Sequence, residues 1–389
     1  MKQEDFLPSA PGRLVPIPEG CLAFIPNPLP PLLNLNWEIA DSLSEARGAL
    51  GQLSGVGRML PNPHLLIKPF LKREAIISSR IEGTIVTEEE LALFAADSPG
   101  KVVTPDVKEV ANYVIAMEHG IQRLTSLPVS LRLIRELHDK LLSGARGGER
   151  RPGEFRNRQN FIGLAGQTIR DARFVPAPVD DMNAALDALE RFISEPDQIP
   201  ILIKLALIHY QFETIHPFFD GNGRIGRLLI ILLLVERKLL PLPLLYLSAY
   251  FERYKREYMD HLLSVSQRGT WNDWINYFLK GIIVQSQDAI DRANNILGLW
   301  QSYRKRIQSN HSSNLVLKLV DELFYSPALS APTMANRLEA STEGVQMAIN
   351  KLVKEGILKE ATGKKRYRIY LATEIFDIMR ADRATPPAN

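Results

Sequence analysis

The sequence predicts a mainly α-helical protein that carries a small β-hairpin flap and ends in a compact module mixing helices with short strands. Three observations lead there. Stretches 36–53, 63–81, 106–124 and 130–142 repeat apolar residues at helical spacing, and Leu228 to Val235 is an unbroken apolar run suited to a buried helix. Two short β-prone pieces flank polar residues between Ile162 and Pro176, the pattern of a hairpin or flap. Beyond Gln308 a polar link, Ser309 to Ser313, opens a stretch patterned as three helices and then two strands.

Composition sets the bounds. With 389 residues, 45% of them hydrophobic, the chain can bury a large core divided among two or three units. The divisions expected are 1–100, 101–308 and 309–389. A formal charge of +3, from 47 basic and 44 acidic residues, is too near balance to argue for nucleic acid by itself. One cysteine, Cys21, excludes an intramolecular disulfide framework and suits a reducing compartment. The N-terminus shows no basic-plus-apolar leader, and Leu228 to Val235 is too short to span a bilayer, so the expectation is a cytoplasmic protein without membrane partners.

In chain order, residues 1–33 are Pro-rich and aperiodic, with Pro26, Pro28, Pro30 and Pro31 close together, and read as an extended arm that wraps the body. The second helical stretch ends in Ser78-Ser-Arg-Ile-Glu82-Gly83, where Gly83 reads as a C-terminal cap. Stretches 179–193 and 200–214 are helices, and His209 within the latter reads as a core histidine. After Pro241 and Pro243, Ser248 to Tyr258 is a tyrosine-rich helix start. Trp271 to Phe278 then opens a long helix whose aromatic stripe reads as core.

The stretch around which the rest is organised is His216-Pro-Phe-Phe-Asp220-Gly-Asn222-Gly-Arg224-Ile-Gly-Arg227, placed just before the apolar run. A helix starting near Asn222 would present free N–H groups and the positive end of its dipole at Gly221 and Gly223, where no side chain obstructs an anion. Arg224 and Arg227 can add forked donors to the same phosphates. Asp220 offers a hard oxygen for Mg²⁺ shared with a nucleotide. His216 is placed to take a proton from an attacking hydroxyl. Gly221 to Gly226 also fits GxGxxG, but the preceding residues read as helix rather than strand, which excludes a dinucleotide fold.

These twelve residues resemble the Fic family signature, HPFx(D/E)GNGRxxR, at every defining position. The resemblance implies a Fic-type helical bundle and an AMP transfer from ATP to a protein hydroxyl. It implies roles as well: His216 as base, Asp220 as the Mg²⁺ ligand, Asn222, Gly223 and Arg224 as the phosphate grip, and Arg227 for the γ-phosphate. Gly221, Ile225 and Gly226 belong to the same nucleotide-binding turn, and Phe218 is a packing residue. Ser78-x-x-x-Glu82-Gly83 resembles the family's inhibitory (S/T)xxxE(G/N) motif, which implies that Glu82 pairs with Arg227 and blocks productive ATP binding. The flap, with Gln167, Thr168, Ile169 and Phe174, is similar to the family's docking edge for a target protein bearing a Ser, Thr or Tyr hydroxyl. Adenine and ribose contacts are expected from among Tyr250, Arg253 and Tyr258. Another nucleotide donor and removal of AMP stay open, as does the oligomeric state, a homodimer included.

In the C-terminal module, 314–325, 331–340 and 341–355 read as helices, the last burying Val345, Ala348, Ile349, Leu352 and Val353. Strands at Gly356 to Leu358 and Lys364 to Tyr370 then flank a tip at Thr362-Gly363. This order resembles a winged helix. The third helix is only mildly basic, whereas Lys364, Lys365, Arg366 and Arg368 form a basic wing suited to phosphates. A second class of function is therefore a DNA-binding regulator whose Fic body senses nucleotide.

Overall fold

The structure is a computed structural model that describes residues 1–59, 64–96, 104–144, 151–163, 166–308, 313–363 and 368–381. The fold is mostly helical with small antiparallel sheets, and no described helix is long and apolar enough to cross a membrane. The chain forms two compact units. One comprises Met1–Gly51, Ile115–Leu240 and Leu245–Gln285; the other comprises Gln52–Val114, Pro241–Leu244 and Ser286–Asn389.

The first unit opens with a hairpin of β1 (Gly12–Pro16) and β2 (Leu22–Pro26), paired antiparallel from Gly12 opposite Pro26 to Pro16 opposite Leu22. The arm is thus not simply extended. Its prolines stand at strand ends or beyond, where no ladder N–H is needed. Helices α1 (Trp37–Met59), which belongs to this unit up to Gly51, and α4 (Pro105–Arg123), which belongs to it from Ile115, follow the expected stretches. So do α5 (Leu131–Leu142), capped by Ser130, and α6 (Val179–Ser194). The centre of the unit is the pair α7 (Ile201–Ile215) and α8 (Asn222–Glu236), which pack on each other. Nearly every residue of both is buried, because each is apolar around most of its circumference and must be covered on all sides. α6 and α10 (Lys255–Arg268) cover α7, and α5 covers α8. The tyrosine-rich stretch divides at Tyr254 into α9 (Ser248–Arg253) and α10. α11 (Trp271–Gln308), which belongs to this unit up to Gln285, carries the aromatic stripe, and Trp274 is fully buried with its indole N–H on the Ala206 carbonyl at 2.9 Å.

In the second unit α2 (His64–Ile81) ends as read, with Gly83 at φ 97°. A helix the periodicity had not indicated, α3 (Glu88–Ala95), follows at once. Its signal was present: Thr87 accepts from the Glu90 N–H while the Glu90 carboxylate accepts from the Thr87 N–H, a capping box.

The C-terminal module runs α12 (Asn314–Tyr325), β3 (Ala328–Leu329), α13 (Ala331–Leu338), α14 (Thr342–Lys354), β4 (Lys359–Glu360), β5 (Tyr370–Leu371) and α15 (Thr373–Arg380). Its sheet is antiparallel in the order β3-β5-β4. The strands are shorter than expected and shifted, and β3 was not expected at all. The Glu360 carboxylate draws the chain round by accepting from the N–H groups of Thr362 and Gly363 at 2.8 and 2.9 Å. α14 buries Val345, Ala348, Ile349 and Leu352, whereas Val353, one position past the buried stripe, is 37% exposed. Of the wing cations, Lys364, Lys365 and Arg366 lie outside the described residues, and Arg368 is exposed.

Candidate active site

α7 and α8 are joined by His216 to Gly221, and the sequence of that loop dictates its shape. α7 stops at His216, which takes the left-handed conformation at φ 51°, ψ 60° and donates its N–H to the Phe212 carbonyl. For a residue with a Cβ this geometry costs about 1–2 kcal/mol, so neighbouring bonds must hold it. They come from Arg156. Its Nε donates to the His216 carbonyl at 3.1 Å, its backbone N–H to the Pro217 carbonyl at 2.8 Å, and its Nη groups to the carbonyls of Arg158 and Ala177. Asn160 Nδ2 adds bonds to the carbonyls of His216 and Phe218 at 3.3 and 2.9 Å. Burial pushes the Arg156 guanidinium down to about 10, which still leaves it charged near neutral pH.

Asn222 closes the turn from the other side. Its Oδ1 accepts from the Phe218 N–H and its Nδ2 donates to the Phe218 carbonyl, both at 2.8 Å. The side chain of Asn222 is therefore a buried amide that shapes the turn, while its backbone stands at the start of α8. Gly221 caps α8 at φ 80°, and a Cβ there would also press to 3.2 Å on Leu141. At Gly226 a Cβ would collide with the Glu213 carboxylate, so only glycine lets that side chain cross the first turn of α8.

The loop rests on His138 of α5, which sequence reasoning did not single out. The His138 ring stacks on Phe218 at 3.7 Å and 9°. Its Nδ1 accepts from the Gly153 N–H at 2.9 Å, so Nε2 carries the proton and donates to the Asp220 carbonyl at 3.0 Å. A second buried imidazole lies below α8. His209 bonds the Gly226 carbonyl through Nδ1 at 3.3 Å and accepts at Nε2 from the Tyr258 hydroxyl at 2.8 Å.

Burial holds His138 at about 4 and, with the charge of Arg227 adding to it, His209 at about 3. His261 is lowered in the same sense. Below the ordinary value near 6.5 the unfolded chain takes up protons that these folded rings refuse. Stability is therefore complete above pH 6.5 and falls as pH drops toward 4, by up to about 1.4 kcal/mol per pH unit for each of His138 and His209. Glu136, held at about 2 chiefly by its bond from Arg123, adds its loss only below about 4.5. Thermal unfolding should accordingly show Tm falling between pH 6.5 and 4.5, and a flat Tm over that window would mean that the native rings bind protons.

At the mouth of the loop the arrangement suits a polyphosphate. The opening N–H groups of α8 have no acceptor within the helix, and the positive dipole end lies behind them. Arg224 and Arg227 are each 2% exposed, against the ordinary expectation that a pair of arginines lies in solvent. Two cations in that position make an electropositive centre selective for an anion. Asp220 Oδ1 accepts from the Gly221 N–H at 2.7 Å and lies 3.4 Å from Arg224 Nη2, and its side chain is 34% exposed. Among the described residues no group of three or more His, Cys, Asp or Glu could hold a metal ion. A single part-exposed carboxylate fits Mg²⁺ nonetheless, since that ion keeps most of its ligands as water and substrate phosphates. Gly223 and Ile225 lie within the same first turn.

His216 completes the mouth. Its Nδ1 faces the Glu213 carbonyl at 3.2 Å. A carbonyl only accepts, so Nδ1 carries the proton and the basic lone pair is on Nε2.

The remaining expected residues separate. Tyr250 is 8% exposed against Tyr254 and Tyr277, and Arg253 stands over the Tyr254 ring at 5.9 Å. Tyr258 is 1% exposed, stacked on Phe251 and bonded to His209, a core position that removes it as a direct adenine contact. The flap is anchored by one two-way bridge between Ile162 and Phe174, at 2.8 and 3.1 Å, and by Phe24 of β2 donating to the Val175 carbonyl. Phe174 is thereby a buried packing residue. The stretch Ile169–Asp171 is a 3₁₀ turn rather than a strand, drawn tight by the Thr168 hydroxyl on the Asp171 carboxylate at 2.7 Å. Gln167, Thr168 and Ile169 remain at the surface of the flap or half-buried in it. The motif residues fall in the second unit, with Ser78 buried and Glu82 and Gly83 exposed.

Residues 40–122 match the Fic/DOC family N-terminal model and residues 128–234 match the Fic/DOC family model. A protein adenylyltransferase Fic of Nematostella vectensis is 25% identical over 55% of this chain and 48% of its own length. A probable protein adenylyltransferase of Aquifex aeolicus is 28% identical over 45% of this chain and 52% of its own. The chain spans about half the length of these curated relatives. A crystal structure of a Fic family protein from Desulfovibrio desulfuricans superposes with a TM-score of 0.56 at 18% identity, covering 88% of this chain and 98% of that one. A Fic domain containing signaling protein from Bacteroides thetaiotaomicron gives 0.50 at 22%, covering 66% and 97%. At such identities the likeness is one of fold.

Proposed function

We propose, from the two Fic/DOC domains the chain carries, that it transfers AMP from ATP to a Ser, Thr or Tyr hydroxyl of a target protein. The observation that carries this reading is the coincidence, in one loop, of a tautomer-fixed imidazole and a helix N-terminus flanked by two buried arginines. The triphosphate lies over the opening turn of α8 with Arg224 and Arg227 donating to it. The target hydroxyl gives its proton to His216 Nε2, and its oxygen bonds to the α-phosphorus in line as the bond to the bridging oxygen breaks. Pyrophosphate leaves. Mg²⁺ held by Asp220 would supply charge neutralisation on the phosphates. The acceptor segment docks along the flap at Gln167 to Ile169, and Tyr250 and Arg253 are the candidates for the adenosine end.

Glu82 is the inhibitor in this reading, on the strength of its motif alone. By pairing with Arg227 it would deny the γ-phosphate its partner, and ATP would bind unproductively. The test is labelling of a lysate with α-³²P-ATP or γ-³²P-ATP by wild type, Glu82→Gly and Glu82→Gly with His216→Ala. Label should come from the α-position only, increase in Glu82→Gly and vanish in the double variant. Label from the γ-position would make the protein a kinase, and no label from either would leave a nucleotide-sensing regulator as the better reading.

A further inference from the structure

We infer that the C-terminal module is the regulatory input for Glu82, because the two helices that flank the Ser78 to Gly83 motif, α2 before it and α3 after it, are both fastened to that module; this rests on the reading of Glu82 as inhibitor. The fastening begins with three cations of α2, Lys68, Lys72 and Arg73. Lys72 Nζ donates at 3.1 Å to the carbonyl of Tyr325, the last residue of α12, where a cation also meets the negative end of the helix dipole. Lys68 Nζ lies 4.7 Å from the centre of the Tyr325 ring. The same ring is met at 3.8 Å by Arg337 of α13, itself held by Glu322 of α12 at 2.8 Å.

Arg73 ties α2 to α15. Its Nε donates to the Met379 carbonyl at 2.9 Å, and its Nη1 lies 3.7 Å from Asp288. Asp288 in turn receives both arms of Arg292, at 2.7 and 2.9 Å, and Arg292 donates to the carbonyls of Ile378, Met379 and Ala381. The end of α15 is thus held by two guanidinium groups sharing one buried carboxylate. From Arg73 to Glu82 is nine residues of helix and turn, about 13 Å at 1.5 Å per residue. A helix of that length transmits a displacement rather than absorbing it.

On the far side of the motif α3 is fastened as well. Ala92 and Ala96 share a buried cluster with Ala328 of β3, Leu371 of β5, Ile369 and Phe376 of α15. Arg380 of α15 binds Glu88 at 2.9 Å and also Glu89, at the first turn of α3. Between these anchors the motif itself is a tight turn. The N–H groups of Glu82 and Thr84 both donate to the Ser79 carbonyl, at 3.1 and 3.0 Å, and Gly83 supplies the positive φ. A shift of the module therefore moves both flanks of Glu82, which makes the turn the element that both sites bias.

The test is labelling with α-³²P-ATP by the full chain as wild type, Arg380→Glu, Arg380→Glu with Glu88→Lys and Glu89→Lys, Glu82→Gly, and Glu82→Gly with Arg380→Glu. A part-exposed ion pair of this kind shifts an equilibrium by about 2- to 5-fold. Arg380→Glu should raise labelling by that factor and speed hydrogen exchange at Glu82 and Thr84; the charge-swapped triple variant should return both to wild type. In the Glu82→Gly background Arg380→Glu should add nothing. Unchanged labelling in Arg380→Glu alongside raised labelling in Glu82→Gly overturns the coupling and leaves the inhibitory reading intact, and an equal rise in both backgrounds overturns it too. Labelling that Glu82→Gly fails to raise removes the inhibitory reading itself. Arg380→Ala, which deletes the pair without reversing charge, must move labelling in the same direction and serves should the reversal unfold the module.

Discussion

Replacing His216 by alanine should lower transfer of label from α-³²P-ATP by about 10²- to 10⁴-fold, the range a positioned general base contributes. ATP affinity should stay within about twofold of wild type, because in the proposed mechanism the imidazole acts on the acceptor hydroxyl and not on the nucleotide. The structural grounds are the Nδ1 contact with the Glu213 carbonyl in the last turn of α7, which places the lone pair on Nε2, and the left-handed backbone at which α7 stops. Single-turnover labelling and an equilibrium titration with ATP separate the two quantities. A fall in ATP affinity as large as the fall in rate would falsify the assignment of His216 as base and make it a nucleotide-binding group.

The part of this site that was legible in the sequence is the part contiguous in it. His216 to Arg227 places an imidazole, a carboxylate, a glycine turn and two guanidinium groups within one loop and one helical turn, so no tertiary information was needed to see them together. The supports were not legible for the opposite reason. His138 reads as one more position on an amphipathic helix, and Arg156 and Asn160 as members of a polar stretch. Only the packing of α5 and of the segment before the flap against the loop gives them partners. Asn222 was seen as part of the phosphate grip, but the task of its side-chain amide, closing the turn through two bonds to Phe218, was not. Long helices were read to within a few residues because burial on one face imposes a period. The two-residue strands of the C-terminal module impose none, being fixed by cross-strand partners distant in sequence. The hairpin of β1 and β2 was hidden by its prolines, and α3 by its length, although Thr87 and Glu90 announced it.

Arg156→Ala should lose transfer by about 10²-fold or more with little change in the KM for ATP, and should also unfold at a distinctly lower temperature. The guanidinium serves three carbonyls, of His216, Arg158 and Ala177, while its own backbone N–H serves Pro217. Truncation leaves the three acceptors in a buried site, at about 1–3 kcal/mol for each that water does not reach. The strain at His216 then has one bond fewer to offset it, and the loop can relax toward ordinary helical or extended backbone. In the proposed mechanism such a relaxation would move Nε2 away from the attacking hydroxyl while the N-terminus of α8, held by Asn222 and Gly221, would still meet the phosphates. That is why the effect should appear in kcat and not in KM. Arg156→Lys keeps the charge but presents one compact ammonium to carbonyls that a planar fork reaches together. It should recover much of the melting temperature and little of the rate. A lysine variant that recovers rate and stability in parallel would show that Arg156 acts only through folding, and that the direction of its donors at His216 has no part in placing the base.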